Sequence, residues 1–203
     1  MQKIGGGLGL AGIILGLIVI YGIYWYNSAV SLSEGVGGAW ANVESSYQRR
    51  NDLIPNIVST AKKYAEFEQE TLIGVIEARA KATQVAIDVD ATNLTEENLA
   101  AFSQAQSQVS SGLGRLLATY ENYPDLKANE NFFELINELE RTENRINVER
   151  NRYNGAVGSY NIHIKKFPGN LLAGIFDFNP SGFYQADAGS EKAPDVGDLF
   201  GDD

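Results

Sequence analysis

The sequence predicts an all-α protein in which a single N-terminal transmembrane helix is followed by an antiparallel bundle of three to four long helices. Three observations carry this: an uncharged apolar run at the N-terminus, apolar seams that return at steps of three and four, and connectors short enough that successive helices must reverse direction. The expected division is an anchor over residues 1–29, a bundle domain over 30–184 and an acidic tail over 185–203. A chain of 203 residues that is 44% hydrophobic and 21% charged has the balance of a folded protein.

The anchor comes first. No charged residue lies between Lys3 and Glu34, and the apolar run from Ile4 to Tyr26 would extend about 35 Å as a helix, enough to cross a bilayer. Asn27 stands where a signal-peptide cleavage site would need a small residue, so the segment is expected to remain attached. Tyr21, Tyr24, Trp25 and Tyr26 crowd its C-terminal end, where amphipathic rings settle among the head groups, which sets the bilayer boundary near Asn27. Gly5, Gly9, Gly12 and Gly16 fall on one side of such a helix and form a groove for a second backbone, predicting self-association into a homo-oligomer. Lys3 and the amino terminus on one flank, against Glu34 and Glu44 before Arg49 on the other, bias the N-terminus toward the cytoplasm.

After the anchor, Val36, Trp40, Val43, Tyr47, Arg50 and Ile54 form one helical stripe, continued by Val58, Ala61, Ala65, Glu68, Leu72, Val75 and Arg79. The spacing predicts an element from about 30 to 86. Proline lacks an N–H and clashes with the preceding turn, so the element is expected to kink or break at Asp52 to Pro55, or Asp52 caps a fresh helix. Asp88 to Leu94 lacks periodicity, and Thr95 with Glu96 and Glu97 reads as a capped start. The next helix spans about 95 to 122, with Leu99, Phe102, Gln106, Val109, Leu113, Leu116 and Tyr120 on its seam and serine and glutamine opposite. Pro124 ends it. The last long helix, about 129 to 166, carries Phe132, Ile136, Leu139, Glu143, Ile146, Arg150, Tyr153, Val157, Tyr160 and Ile164 in one register. Phe167-Pro168-Gly169 stops it and leaves a short apolar piece, Leu171 to Phe178. The tail sets six acidic residues against a single lysine, too polar to order itself.

Composition narrows function by exclusion. The chain has no cysteine and one histidine, His163, so thiolate chemistry and the glutamate–histidine di-metal sites of helical bundles are not expected, and no cofactor is called for. A net charge of -10 repels phosphate backbones and speaks against nucleic acid as a partner. Asp88-Val89-Asp90 opens like a calcium loop, but Asn93 and Leu99 occupy the places of the required glycine and glutamate. The unusual feature is charge on the seams. Arg50, Glu143 and Arg150 either pair across helices or reach water where a seam widens; no catalytic residue is assigned.

The run from Trp40 through Ala80, WANVESSYQRRNDLIPNIVSTAKKYAEFEQETLIGVIEARA, resembles the signature stretch of the LemA family, and Asn122 to Pro168 is similar to its second signature. Arg49, Arg50, Asp52, Pro55 and Asn56 match the first motif, and Tyr153 and Asn154 the second. Gly35, Gly37 and Gly38 depart from the charged residues usual before the tryptophan, which implies a more flexible linkage. The resemblance implies a single-pass protein of the bacterial inner membrane with a helical bundle and no established enzymatic activity. It also implies envelope proteins or a membrane protease as partners, and in one branch a part in shaping an intracellular membrane. It places the bundle in the cytoplasm, opposite to the basic-residue bias, so the side of the membrane stays open. The functional expectation is a non-catalytic scaffold or adaptor at the membrane; the alternative is an envelope sensor or regulator associated with a membrane protease.

Overall fold

Apolar residues that return every three to four positions are buried when helices lie side by side. In the computed structural model of the chain, the described residues form six helices and no strand. The structure describes residues 4–64, 68–87, 89 and 91–185, with side chains from residue 9 onward. The acidic tail beyond Gln185, Ala65 of the first stripe, and Asp88 and Asp90 of the calcium-like segment lie outside the described residues, as do the surroundings of Gly5.

Helix α1 runs from Ile4 to Ala61 without interruption, about 87 Å at about 1.5 Å per residue. Its two parts face different surroundings. From Leu10 to Tyr24 the large apolar side chains are exposed all round, whereas from Val36 onward a single stripe is buried. The helix passes through Gly35, Gly37 and Gly38, and Gly37 lies close to the α2–α3 connector, where a Cβ would meet Ala91 Cβ at 3.6 Å. The expected kink or break at Asp52 to Pro55 is not where the chain turns: α1 carries Pro55 in its interior and ends six residues later, at Ala61. Helix α2 (Gln69–Ile87) then returns along α1.

Helix α3 (Glu96–Tyr120) begins at Thr95, whose side chain accepts from the Asn98 N–H at 3.2 Å, with Glu96 and Glu97 at the positive end of the dipole. A single turn, α4 (Pro124–Lys127), opens on proline, whose missing N–H costs nothing at the first helical position. This turn lies in the stretch between the helices expected over about 95–122 and 129–166. Asn129 caps α5 (Glu130–Lys165) by accepting from the Phe132 N–H at 2.9 Å. Helix α6 (Gly169–Phe176) closes with Asp177 in the left-handed conformation at φ 57°.

Helices α1, α2, α3 and α5 alternate in direction, so the bundle has four long members, the fourth created by the turn after Ala61. α1 packs chiefly on α5, and α2 on α3. The core divides along the axis into two apolar clusters. One holds Trp25, Trp40, Tyr47, Phe102, Tyr153 and Tyr160, toward the exposed apolar part of α1; the other holds Ile54, Val75, Val109, Leu116, Phe132 and Leu139, at the far end. Each fully buried large side chain contributes about 1.5–3 kcal/mol. Trp25, assigned to the head-group belt, is instead only 3% exposed. Its indole stacks on His163 at 5.2 Å, and the His163 ring nitrogen Nε2 lies 3.2 Å from the Trp25 carbonyl oxygen.

Candidate functional site

Between the two apolar clusters lies a polar layer built by one residue from each of three seams. On α1, Arg50 sits between Tyr47 and Ile54; on α3, Gln106 between Phe102 and Val109; on α5, Glu143 between Leu139 and Ile146. Helical spacing puts all three at the same height. Arg50 is 1% exposed, so its guanidinium needs acceptors inside the protein. One terminal nitrogen donates to Glu143 Oε1 at 3.0 Å and to Ser110 Oγ at 2.8 Å. The other donates to Gln106 Oε1 at 2.6 Å and to the Gln106 carbonyl at 3.2 Å. Its Cζ also lies 5.0 Å from the Tyr47 ring centre, a cation–π arrangement. The Tyr47 hydroxyl meets that of Tyr184 at 2.8 Å, and burial, reinforced by this second phenol, holds it well above the usual phenol range.

The other residues of the first motif surround this layer. Arg49 is exposed and donates through Nε to Glu138 Oε1 at 3.0 Å, joining α1 to α5 at the surface. Asp52 is exposed and borders the grooves on both sides of α1. The Asn56 carbonyl accepts from Ser59 Oγ at 3.0 Å and Thr60 Oγ1 at 2.9 Å. Pro55 explains the course of α1. Having no N–H, it leaves the carbonyl of Asn51, four residues earlier, without its helical donor. Arg79 of α2 donates to that carbonyl through Nε at 2.7 Å. A side chain from the neighbouring helix thus replaces the bond that proline removes, and α1 continues.

Arg150 does not join Arg50 and Glu143. Its Cζ sits 4.1 Å from the Tyr184 ring centre, and it donates to the Gln185 carbonyl at 3.0 Å. That contact belongs to a different construction, in which α5 grips an extended segment, residues 178–185, running back along it. Tyr153-Asn154 and Tyr160-Asn161 recur seven residues apart, which returns both pairs to one helix face. Each asparagine amide imitates a strand neighbour. Asn154 donates to the Tyr184 carbonyl at 2.9 Å and accepts from its N–H at 2.8 Å, and Asn161 does the same with Ser181 at 2.9 and 3.0 Å. The tyrosine hydroxyls donate to the carbonyls of Gly182 at 2.9 Å and Asn179 at 3.0 Å. Burial raises the Tyr153 phenol as well. Gly182 is required: a Cβ there would lie 2.8 Å from the Glu96 backbone nitrogen.

Gly9, Gly12 and Gly16 have nothing within 4 Å of where a Cβ would stand, so this side of α1 is open. Among the described residues no three histidine or carboxylate groups gather as a metal ion would require. A cavity of about 270 Å³ beside the polar layer is lined by Tyr47, Asn51, Arg79, Thr83 and Gln106 among others. Its lining also includes the Glu44 and Asp52 carboxylates, and the Thr83 hydroxyl donates to the Arg79 carbonyl at 2.9 Å. Sequence reasoning missed Arg79 as a partner, Ser110, the second tyrosine–asparagine pair and Glu149. Glu149 is buried on α5, where Arg152 and Arg145 of the same helix reach its Oε1 at 2.9 and 3.8 Å. The signal available for Arg79 was the orphan carbonyl that any interior proline implies.

Comparison with known proteins places these features. The chain is 27% identical over 175 residues to magnetosome protein MamQ 1 of Paramagnetospirillum magneticum, covering 79% of this chain and 64% of that protein. Protein LemA of Metamycoplasma hominis is 27% identical over 179 residues, covering 85% of this chain and 77% of that one. Magnetosome protein MamQ of Magnetospirillum gryphiswaldense is 24% identical over 168 residues, covering 75% and 62%. The chain therefore spans less than two thirds of the MamQ proteins' length. The family model described as LemA family matches residues 39–197, taking in the polar layer, the Pro55 junction and both tyrosine–asparagine pairs, and the chain belongs to the LemA family.

Proposed function

We propose that this protein is a non-catalytic helical scaffold or adaptor of the bacterial inner membrane, tethered by α1, self-associating there and presenting its bundle to envelope partners. The observation that carries the reading is the apolar exposure of α1 from Leu10 to Tyr24 on every side. About 1.5–3 kcal/mol per large side chain is forgone if such a surface stays in water, and a lipid surrounding removes that cost. The rod continues into the bundle without a joint, so its position in the membrane fixes that of the bundle. The open side at Gly9, Gly12 and Gly16 favours close approach of a second α1. The magnetosome names of the MamQ relatives support membrane organisation as the general task. Crosslinking of the full chain in native membranes tests this reading, with Gly9→Ile and Gly12→Ile expected to abolish the crosslinked dimer. Dimers that persist in the double variant would remove self-association through the anchor.

The Pro55 junction favours a second reading, an envelope sensor or regulator associated with a membrane protease. There α1 is held across its missing bond by Arg79 alone among the described donors, so releasing that side chain would let the helix bend. Spin-label distances across the junction would then show two populations, and a single narrow distance counts against it.

A further inference from the structure

The end of the bundle nearest the anchor carries an apolar surface that a single-span tether does not use. Helix α6, GNLLAGIF, contains no charged residue. Its inner face is packed: Gly169 and Ala173 are buried and Leu172 is half-buried. Its outer face is not. Leu171 is 59% and Ile175 73% exposed, and Phe167 in the preceding turn is 80% exposed. Leu171 and Ile175 lie one turn apart on α6 and share its outer face, with Phe176 beside them and Phe167 exposed in the turn before the helix.

The position of α6 says what covers this face. Phe176 meets the Tyr26 ring at 5.1 Å, and Phe178 meets Tyr26 and Trp25 at 5.5 and 5.7 Å. Gly169 lies so close against the Trp25 indole that a Cβ could not be accommodated. These contacts fix α6 at the height where the exposed apolar run of α1 ends, so the two apolar surfaces are continuous. Exposed Lys165 and Lys166 immediately precede Phe167, the cationic flank that suits anionic head groups in a chain otherwise of net charge -10.

We propose that α6 and Phe167 are a second membrane contact. The helix lies in the boundary between head groups and acyl chains beside α1. Leu171 and Ile175 of its outer face, with Phe167 from the turn before it, enter the acyl layer, and Lys165 and Lys166 face the phosphates. One spanning helix alone leaves the tilt of the rod open; a second contact off the axis fixes the direction in which the bundle leans over the membrane. The inference rests on α1 spanning the bilayer.

The chain has no cysteine, so single-cysteine variants report single positions. The full chain bearing Leu17→Cys, Leu171→Cys, Ile175→Cys or Ser59→Cys is labelled with a polarity-sensitive fluorophore. It is then reconstituted in phosphatidylcholine–phosphatidylglycerol vesicles containing lipids that carry a nitroxide high or low on the acyl chain. Labels at 171 and 175 are expected to shift to the blue and to be quenched several-fold more than the label at 59 by the high nitroxide, while the label at 17 responds most to the low one. If position 17 is quenched but 171 and 175 match 59, the second contact is refuted and the span stands. If position 17 is not quenched, the span fails and the inference with it. A blue-shifted but unquenched label at 171 and 175 would also overturn the proposal, because protein, such as a second copy, would then cover that face.

Discussion

Replacing Arg79 with methionine removes the donor that Pro55 cannot provide, and the cost follows from the junction itself. The bond from Arg79 Nε to the Asn51 carbonyl is 2.7 Å long, and hydrogen bonds to charged groups contribute about 1.5–3 kcal/mol. Arg79 is half-buried, so water recovers part of this; Asn51 is buried, so it does not recover all. The expected loss is about 1–2 kcal/mol. Pro55→Ala returns an N–H to the position where the Asn51 carbonyl expects one. An interior proline costs about 3 kcal/mol relative to alanine; with Arg79 already compensating, the gain should be about 1–2 kcal/mol. The two changes share one carbonyl and therefore cannot be independent. In the Pro55→Ala background Arg79→Met should cost about 0.5 kcal/mol or less, giving a coupling of about 1 kcal/mol. Urea unfolding of the full chain in detergent micelles, followed by helical circular dichroism, measures all four corners of the cycle. Additivity of the two effects to within about 0.3 kcal/mol would refute the account, because the carbonyl would then not be what joins them.

Glu143→Leu leaves the buried Arg50 with neutral acceptors only, and should cost about 2–3 kcal/mol, below the range for a fully buried pair because the glutamate is 36% exposed. A loss under about 0.5 kcal/mol in the same unfolding assay would show that Ser110 and Gln106 suffice for the guanidinium. The buried phenols give a pH dependence whose sign is fixed. Tyr47 is raised above its ordinary 10.0 by burial and then by Tyr184, so the folded state keeps its proton where the unfolded state releases it. Its stabilising effect is complete below pH 10.0 and declines above it, by up to about 1.4 kcal/mol per pH unit. Urea midpoints taken on either side of pH 10.0 should fall on the alkaline side, and less steeply for Tyr47→Phe; an equal slope would remove Tyr47 from the explanation.

The parts of the fold that were legible in the sequence are those whose cause is local. The seams from Val36 to Ile54 and Leu99 to Leu116 and the apolar members of the seam from Phe132 to Ile164 are buried as their spacing requires, whereas Glu143 and Arg150 reach part-way to solvent, and Thr95 caps α3 because its hydroxyl needs only Asn98. The course of α1 through Pro55 was not legible, because the penalty of a proline is local while its relief by Arg79 comes from another helix, 28 positions beyond Asn51. Trp25 was ambiguous for a related reason: an indole suits a head-group belt and a packed niche equally well, and only the arrival of Gly169 and His163 decides between them. Tyr153 and Tyr160 were readable as seam residues, but Asn154 and Asn161 grip a segment with no periodicity of its own, so nothing in the pattern announced a partner.

The polar layer gives these distances their meaning. Purely apolar seams on α1, α3 and α5 could slide past one another by a turn and still bury comparable surface, since dispersion and burial are insensitive to which leucine meets which. Arg50 removes that freedom. Shifted by one turn, its guanidinium would face Val109 in place of Gln106, and Leu139 in place of Glu143, leaving a buried cation without acceptors at a cost of several kcal/mol. A single register satisfies it, and that register sets the height of α5 against α1. It thereby carries Lys165, Phe167 and α6 to the level of Trp25 and Tyr26. In this way a charge buried at mid-bundle determines where the base of the protein meets the end of its apolar helix.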